Sequence, residues 1–167
     1  MNTLIVYGTR YGNTQRIAEA IGDGLKAAGP VEVLHLDAAT PAHVRQADLV
    51  VVGGPTEAHS ATPELKSWIS GLAFVLDGKA VAAYDTRVDM ARIITGSAAS
   101  GIASRLRRAG ARVVASDGSF IVKGKAAEHK GDPKAREYEL GAGELARAAE
   151  WGRTLARTVA PEPALAR

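Results

Sequence analysis

The sequence predicts a three-layer, doubly wound α/β domain with five parallel strands in the order 2-1-3-4-5 and helices on both faces. Three observations carry the prediction. Apolar, β-branched runs alternate with segments of helical periodicity along almost the whole chain, the pattern of a parallel sheet with crossover helices. Most of these runs are continuously apolar, as strands buried on both faces require. Five of them fit the smaller of the common doubly wound orders better than a six-stranded sheet.

The elements follow in order. "TLIVY" (Thr3–Tyr7) is a buried strand, and behind it Ile17, Ala18, Ile21, Leu25 and Ala28 recur at helical spacing until Gly29 and Pro30 end the helix. "VEVLHL" (Val31–Leu36) alternates, which puts it nearer a sheet edge, while "ADLVVVGGP" (Ala47–Pro55) reads as a central strand. Thr62 as N-cap, Pro63 at the first helical position and Glu64 in the first turn open the next helix, in which Trp68 is a packing residue. "KAVAAYDT" (Lys79–Thr86) is the fourth strand, followed by the helix "GSAASGIASRLRRAG", which Gly110 closes. "ARVVASDGSFIV" is the fifth strand, interrupted around Asp117 and Gly118. Leu145, Ala148, Ala149, Gly152 and Leu155 form one face of the last helix. The polar stretch Lys123–Gly143 is too long for an ordinary link and reads as a functional lid or a disordered segment. Residues 1–160 are expected to make one domain and residues 161–167 a disordered tail.

Composition narrows the function. The 167 residues are 46% hydrophobic and 23% charged, an ordinary globular balance. There is no cysteine, which excludes disulfides, thiolate catalysis and iron–sulfur ligation. No apolar stretch approaches the roughly 18 residues of a membrane span, and no signal-like leader opens the chain, so a cytoplasmic setting is expected. The formal net charge is +3, densest at Arg105–Arg112, where arginines complement the end of a helix. Nucleic-acid binding is not expected; an acidic protein partner suits the charge. The four histidines lack metal-ligand spacing, and Ser60, Ser97 and Ser100 lie in no nucleophile elbow.

In a doubly wound sheet, ligands bind outside the carboxyl ends of the strands, where the strand order reverses. Here that point lies between the first and third strands, at the loops "GTRYGNT" and "GGPTEAHSAT". In the first, Thr9, Asn13 and Thr14 offer hydroxyl and amide donors at a helix N-terminus, and Gly8 and Gly12 let the backbone approach a ligand. This is an anion nest suited to a phosphate. It lacks the lysine of the Walker loop and is not G-x-G-x-x-G, so a dinucleotide is disfavoured.

The stretch "IVYGTRYGNTQRIAEAI" resembles the flavodoxin signature: two apolar residues, an aromatic, then T-x-x-G-x-T, with Ala18 and Ile21 on the helix. The "GPT" after the third strand is similar to flavodoxins too. The resemblance implies a flavodoxin-like fold, FMN as cofactor and electron transfer with a redox partner protein. It implies that Thr9, Arg10, Tyr11, Gly12, Asn13 and Thr14 hold the FMN phosphate. Pro55, Thr56, Glu57, Ala58 and His59, with Asp85, Thr86, Arg87, Val88 and Asp89, would hold the ribityl chain and ring. The family often stacks the flavin between aromatics of those two loops, where this chain offers only His59 and Tyr84. Arg87 has three readings: a cation beside the flavin edge, a contact for an acidic substrate, or a partner for Asp85 or Asp89. Three alternative functions stand beside the electron carrier. They are a flavodoxin-fold binding or regulatory module without efficient FMN binding, a flavodoxin-type oxidoreductase such as a protoporphyrinogen oxidase, and a protein for another phosphate-bearing ligand.

Overall fold

The computed structural model describes residues 1–57, 59–89, 96–124 and 138–159. The first run forms β1 (Thr3–Tyr7), all five residues buried, and it enters α1 (Asn13–Leu25) through the loop Gly8–Gly12. A 3-10 turn over Lys26–Ala28 leads to β2 (Val31–His35), whose residues are half-buried to exposed, as its alternation predicts for an edge. β3 (Leu49–Pro55) and β4 (Ala80–Val88) are buried along nearly their whole length. Between them lie α3 (Pro63–Gly71) and a short α4 (Ala73–Leu76). The N-cap read from the sequence is present in α3: the Thr62 hydroxyl accepts from the Leu65 N–H at 3.4 Å.

The structure adds a helix beyond those the periodicity predicts. Residues Pro41–Gln46 form α2, capped by Thr40 with Pro41 in the first turn. At six residues it is too short to show a period, so only its cap signature announces it.

The sheet runs β2-β1-β3-β4 in parallel, the predicted order. The fifth position is divided. β5 (Arg112–Val113) pairs with the start of β4, and β6 (Gly118–Gly124) pairs in parallel with its end. The break falls at the predicted interruption around Asp117 and Gly118. Outside β6 lies β7 (Tyr138–Leu140), antiparallel to it. Part of the stretch expected to be lid or disorder is therefore sheet: Lys123 and Gly124 finish β6, and Tyr138–Leu140 add an edge strand. Residues 125–137 lie outside the described residues, as do Ala58, 90–95 and the expected tail.

Alternation along the strands builds two cores. Leu4, Val6, Val50, Val52, Val81 and Ala83 face α3 and α5 (Ala98–Arg108), with Leu65, Ile69, Ile102 and Leu106 opposite. Ile5, Tyr7, Leu49, Val51, Ala82 and Tyr84 face α1 and α6 (Glu144–Val159), with Ile17, Ile21, Ala148 and Leu155 opposite. The arginines of the basic cluster, Arg105, Arg107 and Arg108, occupy the last turn of α5, where they complement its dipole. The helices α1 and α6 approach so closely that a Cβ on Gly24 would overlap the Ala149 carbonyl, and one on Gly152 the carbonyl of Ile21. That contact holds α1 against the sheet and so aims its N-terminus.

Candidate functional site

The loops at the carboxyl ends of β1, β3 and β4 converge on a cleft of about 430 Å³, a size ordinary for small-molecule sites. The first loop turns on Gly12, whose φ of 80° is left-handed and unstrained only for glycine. The Thr9 hydroxyl accepts the Gly12 N–H at 3.0 Å and closes the turn. No side chain caps α1. Its first-turn amides thus keep the partial positive charge that favours an anion.

Two residues with the chemistry of helix caps are used otherwise. The Asn13 side-chain amide donates to the Tyr138 carbonyl at 2.8 Å, which ties the loop to β7. The Thr14 and Thr86 hydroxyls lie 2.9 Å apart, joining α1 to the end of β4. Beneath them the Tyr84 hydroxyl donates to the Thr14 carbonyl at 3.4 Å. Full burial pushes the Tyr84 phenol well above its usual pKa, because a phenolate there would lose its solvation. Its ring lies 6.3 Å from that of Phe120 and 6.4 Å from that of Trp151, so it belongs to the core.

Of the residues singled out from the sequence, Thr9, Arg10, Tyr11, Asn13 and Thr14 line the cleft. So do Pro55, Thr56, Glu57, Thr86, Arg87 and Val88. Arg10 and Glu57 pair across the mouth at 3.2 Å. Gly12 turns the loop and is not among the lining residues. His59, with a positive φ of 67°, is an exposed turn residue away from the cleft lining. Asp89 is exposed just past β4, and Ala58 lies outside the described residues.

Asp85 lies beneath the cleft instead of in its wall. It is fully buried and accepts hydrogen bonds from Thr56 Oγ1 (3.1 Å), Ser97 Oγ (2.9 Å), the Ala99 N–H (3.1 Å) and Ser119 Oγ (2.7 Å). It therefore pins the β3 loop, the start of α5 and β6 to one point. Of the three readings of Arg87, the structure adds a bridged version of the last: its Nε donates at 2.9 Å to Ser119, which bonds Asp85.

Two lining residues have no counterpart in the sequence reading, Val122 and Tyr138. Tyr138 stands 5.5 Å from Tyr11, ring centre to ring centre, at an angle of 46°. The aromatic rings that line the cleft thus come from the Gly8–Gly12 loop and the β7 edge. The length of the Lys123–Gly143 stretch pointed to that segment; nothing in it singled out the tyrosine.

Fold and cleft together define a doubly wound α/β protein with a ligand-sized cleft at its switch point, opening on a helix N-terminus that no side chain caps. The family described as a flavodoxin domain matches residues 4–95. The chain belongs to the flavodoxin family. It is similar to the flavodoxin of Clostridium saccharobutylicum, 34% identical over 89 residues, which are 52% of this chain and 56% of that protein. The flavodoxin of Aquifex aeolicus (strain VF5) is 33% identical over 89 residues, 50% of this chain and 48% of that protein. The match spans about half the length of these relatives. An archaeal flavodoxin structure has the same fold, with a TM-score of 0.71 at 22% identity, covering 95% of this chain and 99% of that one. Among the described residues no helix is long and apolar enough to cross a membrane.

Proposed function

We propose that the chain binds FMN in this cleft and carries electrons between a reductase and an acceptor protein. The observation that carries the reading is the Thr9–Thr14 loop: a glycine-turned entry into a helix with no side-chain cap, opening on a cleft of ligand size. The residues suit a phosphate dianion: Thr9, Arg10, Asn13 and Thr14 line the cleft at the uncapped start of α1.

FMN, when bound, supplies the electron chemistry through its ring. The chain's own residues hold and shield it. The loop amides and hydroxyls would take the phosphate, and the Arg10–Glu57 pair would close one side of the mouth. Pro55, Val88 and Val122 would keep water from the ring, with Tyr11 and Tyr138 offering aromatic surface. The positive net charge of +3 favours an acidic partner.

The test is direct. Purified protein should be yellow, and apoprotein should quench FMN fluorescence at one equivalent while binding riboflavin, which lacks the phosphate, far more weakly. A colourless protein that leaves the FMN spectrum and fluorescence unchanged overturns the reading. FMN and riboflavin bound alike would remove the loop from it.

A further inference from the structure

One hydroxyl links the buried carboxylate beneath the cleft to a cation in the cleft wall. Asp85 and Ser119 face each other in the β4–β6 register. Arg87 stands two residues beyond Asp85, on the same side of β4. Ser119 Oγ donates to Asp85 Oδ1 at 2.7 Å and accepts from Arg87 Nε at 2.9 Å. The other Asp85 oxygen holds Thr56, Ser97 and the Ala99 N–H, so the carboxylate is anchored and cannot turn to follow the arginine. Arg87 Nη1 also reaches the Val88 carbonyl at 3.4 Å. The bonds run one way, from guanidinium to hydroxyl to carboxylate, and the charge at each end strengthens both. A side chain that bridges those two groups must accept from the guanidinium and donate to the carboxylate, and the Ser119 hydroxyl does both through one atom.

The other charged residues of the described cleft wall, Arg10 and Glu57, pair with each other. Arg87 is the cation held from inside the fold. We propose that Ser119 is a positioning residue that fixes the Arg87 guanidinium in the cleft wall, where it favours the reduced, anionic form of the bound cofactor. The inference rests on the FMN reading above. Two electrons from the reductase and one proton from solvent convert oxidised FMN to FMNH⁻, which carries one more negative charge on its ring. A guanidinium fixed in the same partly desolvated cleft attracts that added charge, and loses most of the effect if it swings into water.

Two measurements test this, one without flavin. In the apoprotein, the Arg87 Nε–H proton should exchange slowly by NMR in wild type and Ser119→Thr, and rapidly in Ser119→Ala. In the FMN-loaded protein, the two-electron midpoint potential should shift to more negative values in Arg87→Gln. It should shift in the same direction by a smaller amount in Ser119→Ala, and stay at the wild-type value in Ser119→Thr. The deciding comparison is Ser119→Ala placed in the Arg87→Gln background, where it should move the potential no further. An equal shift in both backgrounds, or none in either, overturns the proposal, as does an Nε–H indifferent to Ser119→Ala. If Ser119→Ala fails to fold by circular dichroism, Arg87→Gln with Ser119→Thr decides: an unmoved potential in Arg87→Gln overturns it. A wild-type chain that takes up no FMN, with its Nε–H still protected, overturns the cofactor reading and the redox half of this one, leaving the positioning bond established.

Discussion

The hydroxyls of Thr14 and Thr86 stand 2.9 Å apart in the buried floor of the cleft and join the first turn of α1 to the end of β4. This pair makes Thr14 both a lining residue and a tie between elements. Thr14→Val should cost about 1–3 kcal/mol of stability, because it strands the Thr86 hydroxyl away from water. Thr14→Val with Thr86→Val removes both partners and should recover much of that loss. FMN affinity should fall in the single variant by about 1–3 kcal/mol, as for a lost hydrogen bond to a charged group, and stay low in the double variant. Urea unfolding of the apoprotein and FMN titration separate the two effects. Affinity restored together with stability would show that Thr14 acts only through the fold.

Tyr11 and Tyr138 meet over the anion loop at 5.5 Å, and both line the cleft. In the proposed complex each ring would contribute packing surface to the bound FMN. Tyr138→Ala and Tyr11→Ala should each weaken FMN by about 0.5–1.5 kcal/mol, measured as a higher dissociation constant in fluorescence titration. Tyr138→Phe should bind as wild type, since the ring and not its hydroxyl is the proposed contact.

Glycine at positions 24 and 152 permits the close approach of α1 and α6. Alanine favours a helix interior by about 1 kcal/mol over glycine, so propensity alone predicts that Gly24→Ala stabilises. Packing predicts the reverse, because the new methyl meets the Ala149 backbone, which cannot rotate aside. Overpacking costs of about 1–3 kcal/mol outweigh the propensity gain. Gly24→Ala and Gly152→Ala should both lower the melting temperature, and a rise in either would show that the helices can separate without loss.

The Tyr84 phenol has its pKa raised by burial, and Tyr7 is raised as well, through burial and the nearby Glu19 carboxylate. A phenol that holds its proton more tightly in the folded state contributes stability below its unfolded pKa, near 10. That contribution is lost as pH rises through the higher folded value. The urea midpoint should therefore be level through neutral pH and fall above about pH 10. Tyr84→Phe should be less stable at pH 7 by about 1 kcal/mol, having lost the bond to the Thr14 carbonyl. Its alkaline decline should be shallower than that of wild type. Parallel declines would mean that Tyr84 is not the group responsible.

What could be read from the chain alone was local or periodic. "TLIVY", "LVVVGG" and "VAAY" are apolar on both faces, so burial within a parallel sheet follows from composition. The Thr62–Pro63–Glu64 start of α3 and the Gly12 turn are likewise written in adjacent residues, because caps and left-handed turns depend on the backbone nearby. The anion loop belongs to this class, and so it was the most legible part of the site. What only the tertiary structure decided depends on residues distant in sequence. Asp85 and Ser119 become neighbours through strand register, 34 residues apart, and Asn13 reaches Tyr138 across 125. The register also turned Asp85 from an expected cleft residue into the buried anchor beneath it, and brought Tyr138 into the wall from a stretch that reads as polar loop. Periodicity tells which face of an element is buried. It does not tell which side chains meet across the sheet, because that is set by how strands align and how closely helices such as α1 and α6 can approach.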